Sequence, residues 1–155
     1  MKKEMYYTLI TGGSEGIGFE LAKQFAEHGH NLIIVARDEA QLASAKDILE
    51  GIGEEVITIS KDLFEPEAPF ELYEQIKNEG LTVDILVNNA GQGVYGLFEE
   101  TDIRRELAII QLNIASLTVL TKLFLQDMLD RGDGRILNVS SIASKTPGPW
   151  QSVYH

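Results

Sequence analysis

Two kinds of hydrophobic pattern alternate along this chain. Short runs rich in Ile, Val, Leu, Thr and Tyr occur at 6–11 (YYTLIT), 31–36 (NLIIVA), 55–60 (EVITIS), 83–89 (VDILVNN) and 135–141 (RILNVSS). Their length and β-branched content predict strands, and the unbroken apolar run NLIIVA predicts one covered on both faces. Between them, apolar positions recur every three or four residues. Ile17, Leu21 and Phe25 predict one face of a helix stopped by Gly29, and Leu42, Ala45, Leu49 and Ile52 a second, ended by Gly51 and Gly53. A third helix is expected from Pro66 and Pro69 to Gly80, and a long fourth over 102–131, broken by Gly132 and Gly134.

Strand alternating with helix predicts right-handed βαβ units. The expected class is α/β: a doubly wound parallel sheet of about five strands with helices on both faces. No linker, repeat or low-complexity segment divides the chain, so residues 1–155 read as one domain.

Composition narrows the function. Hydrophobic residues make up 44% of the 155 and charged residues 24%, which describes an ordinary globular domain. Twenty-four acidic against 13 basic residues give a net charge of −11, which argues against nucleic acid or an anionic membrane as partner. The longest uncharged run, Leu107–Thr121, is too short to cross a bilayer and reads as a buried or subunit-facing helix. No signal peptide is evident at the start, and a cytoplasmic location is expected. There is no cysteine, and no His/Asp/Glu group has metal-ligand spacing, so no metal is expected. Glu54, Glu55, Glu99 and Glu100 read as solvated surface.

In such sheets ligands bind beyond the carboxyl ends of the strands. After the first strand comes TGGSEGIG, Thr11 to Gly18. Its glycines allow a tight turn and a close backbone approach, and the N–H groups opening the next helix suit a pyrophosphate. Ser14 adds a hydroxyl. The spacing Thr-Gly-x-x-x-Gly-x-Gly resembles the nucleotide loop of the short-chain dehydrogenases/reductases. Further stations occur in that family's order: Asp62-Leu63 after strand three, NNAG (Asn88 to Gly91) after strand four, Asn113 in the long helix, NVSS closing strand five, and Tyr154.

The resemblance implies a Rossmann-type domain that binds NAD(P), with the family's strand order 3-2-1-4-5-6-7. It implies cofactor contacts at Gly12, Ser14, Gly16, Ile17, Gly18, Asp62, Leu63, Asn89, Ala90 and Gly91, with Asn88 fastening the central strands. At the end of strand two, IIVARD puts Ala36 in the slot where an acid would accept from a ribose 2′-hydroxyl, followed by Arg37. An arginine there can hold a 2′-phosphate, which favours NADP(H) over NAD, although Glu15 would repel that phosphate. Asp38 with Gln41 reads as a helix cap.

By the same resemblance Tyr154 exchanges a proton with an alcohol or carbonyl, Ser141 orients the substrate oxygen and Asn113 supports a proton-relay water. Tyrosine, with an ordinary pKa of about 10, needs help to act at neutral pH. The family supplies a lysine four residues on, and the chain stops at His155. It is therefore read as the amino-terminal portion of a longer enzyme, incomplete at the carboxyl end. Strand five becomes an exposed edge, and homodimers or homotetramers are implied only for the full length. The expected function is an NADP(H)-dependent oxidoreductase interconverting a small-molecule carbonyl and alcohol. The alternative is a chain that only binds nucleotide, or pairs with another chain, without catalysis.

Overall fold

The computed structural model describes residues 5–53 and 55–155. Five parallel strands, β1 (Tyr6–Thr11), β2 (Asn31–Ala36), β3 (Val56–Ser60), β4 (Thr82–Asn88) and β5 (Arg135–Asn138), lie in the order β3-β2-β1-β4-β5. Helices α1 (Gly16–Glu27) and α2 (Glu39–Glu50) cover one face, and α3 (Ala68–Asn78) with the long helix after β4 covers the other. The expected doubly wound α/β sheet is present.

Side-chain alternation divides the core into two layers. Tyr7 and Leu9 of β1 join Ile33, Val35, Leu72, Ile76, Leu120 and Phe124 beneath α3 and the long helix. Ile10 joins Leu32, Ile34, Leu42, Leu49 and Val87 beneath α1 and α2. Leu32, Ile33, Ile34 and Val35 are all fully buried, as a strand enclosed on both sides requires. In β4 the alternation slips. Tyr7 pairs with Val83 and Thr8 with Ile85, so Asp84 is an extra residue, and Val83 and Leu86 consequently serve the same layer.

Three expectations are corrected. The buried stripe of α1 is Gly18, Ala22 and Ala26, one position along from Ile17, Leu21 and Phe25. Small residues let the helix lie close on the sheet, while Leu21 and Phe25 flank the contact and Ile17 is exposed. The long helix is α4 (Ile103–Ile110) and α5 (Leu117–Arg131) joined by a π-helical segment, Gln111–Ser116. Taken whole, Ile103–Arg131 has 29 residues and is long and apolar enough to cross a bilayer by length and composition, unlike the shorter uncharged run within it. In the fold one face of it, from Glu106 and Ile109 to Phe124 and Met128, lies buried. Finally β5 ends at Asn138, shorter than the predicted 135–141, because its partner β4 ends opposite it at Asn88. Its Leu137 is exposed, as expected of an edge.

Glu54 lies outside the described residues. Glu55 is exposed, yet it accepts a 2.6 Å hydrogen bond from the buried Tyr7 hydroxyl. Burial, reinforced by that bond and by the carboxylate's charge, pushes the Tyr7 pKa up to about 12. The folded state thus holds its phenolic proton after the unfolded chain has released one near pH 10. This contribution is complete below about pH 10 and is lost as pH rises towards 12. Urea melts at pH 9 to 12 should show a steeper loss of stability for the natural chain than for Tyr7→Phe; parallel curves would contradict the assignment.

Candidate functional site

Beyond the carboxyl ends of the strands the structure holds an open cleft of about 1050 Å³. Its floor is the crossover point of the sheet, where the chain leaves β1 towards β2 and β4 lies on the other side. All the candidate residues except Gly18 line it.

The turn after β1 is built by hydrogen bonds and by glycine. The N–H groups of Gly12 and Gly13 both donate to Val35 O, at 2.8 and 3.3 Å, folding the turn over the end of β2. Gly12 and Gly16 have φ of 65° and 56°, a region that side chains resist. Gly18 lies beneath this turn, and a methyl group there would overlap the Gly12 carbonyl oxygen and the Asn89 amide. Ser14 reaches Gln41 Oε1 at 3.4 Å, so the Gln41 side chain faces the turn while its N–H is capped by Asp38 at 2.9 Å. Glu15 precedes α1 without any side-chain cap, and no acid stands in the first helical turn. That terminus therefore presents backbone N–H groups and partial positive charge to the cleft, a setting that fits a phosphate.

A second loop is fixed against the first by Thr11. Its buried hydroxyl oxygen accepts from Asn89 N at 3.0 Å and Ala90 N at 3.1 Å, and donates to Val87 O at 3.4 Å. Asn89 returns the contact, its Nδ2 donating to Thr11 O and Gly12 O at 3.0 and 3.1 Å. Asn88 fastens the strands as expected: Nδ2 donates to Thr121 Oγ1 and Asn138 Oδ1, both at 2.9 Å.

Opposite, Arg37 leaves β2 half-exposed, with Nη1 4.0 Å from Asp62 Oδ2 and its guanidinium 4.9 Å from the Phe64 ring centre. Asp62 Oδ1 accepts from Phe64 N at 3.1 Å. Leu63 is buried, and its carbonyl accepts from Ser116 Oγ at 2.7 Å, joining this loop to the π-helical segment.

That segment also carries Asn113. Its Oδ1 accepts from Gln92 N at 3.0 Å and its Nδ2 donates to Gln92 O at 2.8 Å. Gly91 passes close to the same amide, and Arg105 donates to the Gln92 side chain. Ser141 Oγ accepts from Ala143 N at 3.1 Å. The Tyr154 ring, half-buried, packs against Gly93. Asn113, Ser141 and Tyr154, far apart in sequence, thus converge on one end of the cleft, while Arg37 and Asp62 occupy the other.

Sequence reasoning missed Phe64, Gln92 and Arg105, and it treated Thr11 only as part of a motif. Phe64 directly follows Asp62-Leu63, and that adjacency was the one available signal. The Gln92–Asn113 pairing spans 21 residues and leaves no local pattern.

The fold and this cleft define a dinucleotide-binding α/β domain. The short chain dehydrogenase family profile matches residues 7–155, and the chain belongs to that family. It is 31% identical to a ketoacyl reductase of Nostoc over 94% of this chain and 51% of the relative. It is 34% identical to the 17-beta-hydroxysteroid dehydrogenase type 3 of Danio rerio over 96% and 49%. A solved short-chain dehydrogenase from Sphingobium yanoikuyae, in complex with NADPH, superposes with a TM-score of 0.89 at 31% identity, covering 97% of this chain and 59% of that one. The chain spans about half the length of the curated relatives it matches.

The Thr11 contact yields a direct test. Thr11→Val keeps the shape but leaves two N–H groups without their acceptor, and should lower stability by about 2–3 kcal/mol in urea denaturation. Thr11→Ser should restore most of it. Equal stability of all three would show that the hydroxyl does not hold the two loops.

Proposed function

We propose that the chain is the nucleotide-binding part of an NADP(H)-dependent oxidoreductase that interconverts a carbonyl and an alcohol. The observation that carries this reading is the pairing of an uncapped helix terminus with Arg37 across one cleft. A dinucleotide bearing a 2′-phosphate needs both. Backbone N–H groups after β1, with Ser14, would hold the pyrophosphate, and Arg37 would hold the extra phosphate. Gly12, Gly16, Ile17 and Gly18 shape the cradle. Asp62 and Leu63 would hold the adenine, and Asn89, Ala90 and Gly91 the ribose beside it. The Sphingobium relative, solved with NADPH, supports the same choice.

When bound, NADPH supplies the hydride for carbonyl reduction. Tyr154 gives the proton that the developing alkoxide requires. Ser141, its oxygen already accepting from Ala143 N, keeps a hydroxyl proton with which to hold the substrate oxygen. Asn113, carried on the π-helical turn, secures the Gln92 loop at the edge of the site and would support a relay water there. Homo-oligomers of the whole protein would use the outer side of the long helix, where Ile103, Leu107, Ile110, Ile114, Leu125 and Leu129 are exposed in one stripe.

Calorimetric titration tests the cofactor. NADPH should bind at least about tenfold more tightly than NADH, and Arg37→Ala should remove about tenfold of that affinity while leaving NADH within about twofold. Equal affinity for the two nucleotides would overturn the NADP(H) reading. Saturable binding without turnover on a panel of ketones and aldehydes would favour the noncatalytic module for this chain.

A further inference from the structure

Two guanidinium groups from distant parts of the chain face one aromatic ring. Arg37, at the end of β2, lies 4.9 Å from the centre of Phe64, and Arg105, in the first turn of α4, lies 5.1 Å from it. The ring is itself anchored. It packs on the core layer beneath α3 and α5, its backbone N–H is bound by Asp62, and the preceding carbonyl is held by Ser116. Arg105 is engaged by the Gln92 side chain, and the Gln92 backbone is clasped by Asn113. Among the described residues the Arg37 side chain has no comparable anchor. Its ion pair with Asp62 is long, at 4.0 Å, and both side chains are about half exposed.

We infer that Phe64 is the residue that positions Arg37 to discriminate between the two nicotinamide dinucleotides. The inference rests on the NADP(H) reading above. The chemistry favours a ring over a carboxylate for this duty. A close carboxylate would occupy the N–H donors of the guanidinium and offset its charge. An aromatic face attracts the cation through its π density and leaves the planar edge, with its five donors, free for a phosphate. Asp62 holds Phe64 N–H through Oδ1, and its Oδ2 stands 4.0 Å from Arg37 Nη1, too far to occupy a guanidinium donor by a hydrogen bond. Arg37, Asp62 and Phe64 all border the cleft, so an edge freed in this way faces the space where a 2′-phosphate would lie. Phe64 therefore acts through Arg37 and is a positioning residue; it touches no reacting atom.

The test measures dissociation constants of NADPH, NADH, 2′,5′-ADP and 5′-ADP for the full chain by calorimetry. The variants are Phe64→Leu, Phe64→Tyr, Arg37→Ala and the Phe64→Leu/Arg37→Ala pair. Phe64→Leu keeps apolar volume and removes the π face. It should weaken NADPH and 2′,5′-ADP by about two- to fivefold and leave NADH and 5′-ADP unchanged. Phe64→Tyr should behave as the natural chain, and the double variant should bind no more weakly than Arg37→Ala alone. Equal weakening of all four ligands would show that the ring only shapes the cleft, and would overturn the inference. So would unchanged affinities, or independent, multiplicative losses in the double variant. If Arg37→Ala itself left the NADPH preference intact, the NADP(H) reading would fail and the inference with it.

Discussion

The hydroxyl of Thr11 is the constraint on which the site depends. At the end of β1 the chain must turn away towards β2, while β4 ends beside it and turns the other way. This divergence opens the cleft, and it also leaves two loops whose backbone N–H groups face the protein interior. Val35 O takes the N–H groups of Gly12 and Gly13 in the first loop, and one oxygen atom, the Thr11 hydroxyl, accepts from both Asn89 and Ala90 in the second. The Asn89 amide then binds the carbonyls of Thr11 and Gly12, so each loop fixes the other. Gly18 is required by the same arrangement, because the first turn of α1 lies where a side chain would press on that amide.

Around this junction the cleft is divided by chemistry. One end is donor-rich, with the backbone N–H groups of the α1 terminus and the Arg37 guanidinium set among the carboxylates of Glu15, Asp38 and Asp62. The other gathers hydroxyls and amides from Asn113, Ser141 and Tyr154. Phe64 and Arg105 lie on the line between the ends, through Gln92 to Asn113. The β3 loop and the interrupted long helix therefore form one connected wall, with Ser116 joining them from beneath. The π-helical segment carries both Asn113 and Ser116, the two residues that tie the long helix to this wall.

Most element limits were legible because they follow from periodicity and from turn residues, both local signals. The burial of NLIIVA and the cap at Asp38 are of this kind, whereas the sheet order β3-β2-β1-β4-β5 was implied only by the family resemblance. The stripe of α1 was misread for a physical reason. Hydrophobicity favours Ile17, Leu21 and Phe25, but close helix–sheet packing selects the small residues Gly18, Ala22 and Ala26. The same limit applies to the site. Motif residues were found by their spacing, whereas Phe64, Gln92 and Arg105 owe their places to contacts across the fold. The extra residue at Asp84, which breaks the alternation of β4, is a matter of pairing with Tyr7 and Thr8 and leaves no mark in composition.

The chain contains a single tryptophan, and its place in the fold has a spectroscopic consequence. Trp150 lies in the segment leading to Tyr154, with a φ of 66°. Its carbonyl accepts from Gly96 N at 2.8 Å, and its indole meets the Tyr95 ring edge-on at 5.5 Å. It does not border the nucleotide cleft. Its emission therefore reports whether the loop after β4 and the segment bearing Tyr154 are docked together, and it does so without being quenched by direct contact with the adenosine half of a ligand.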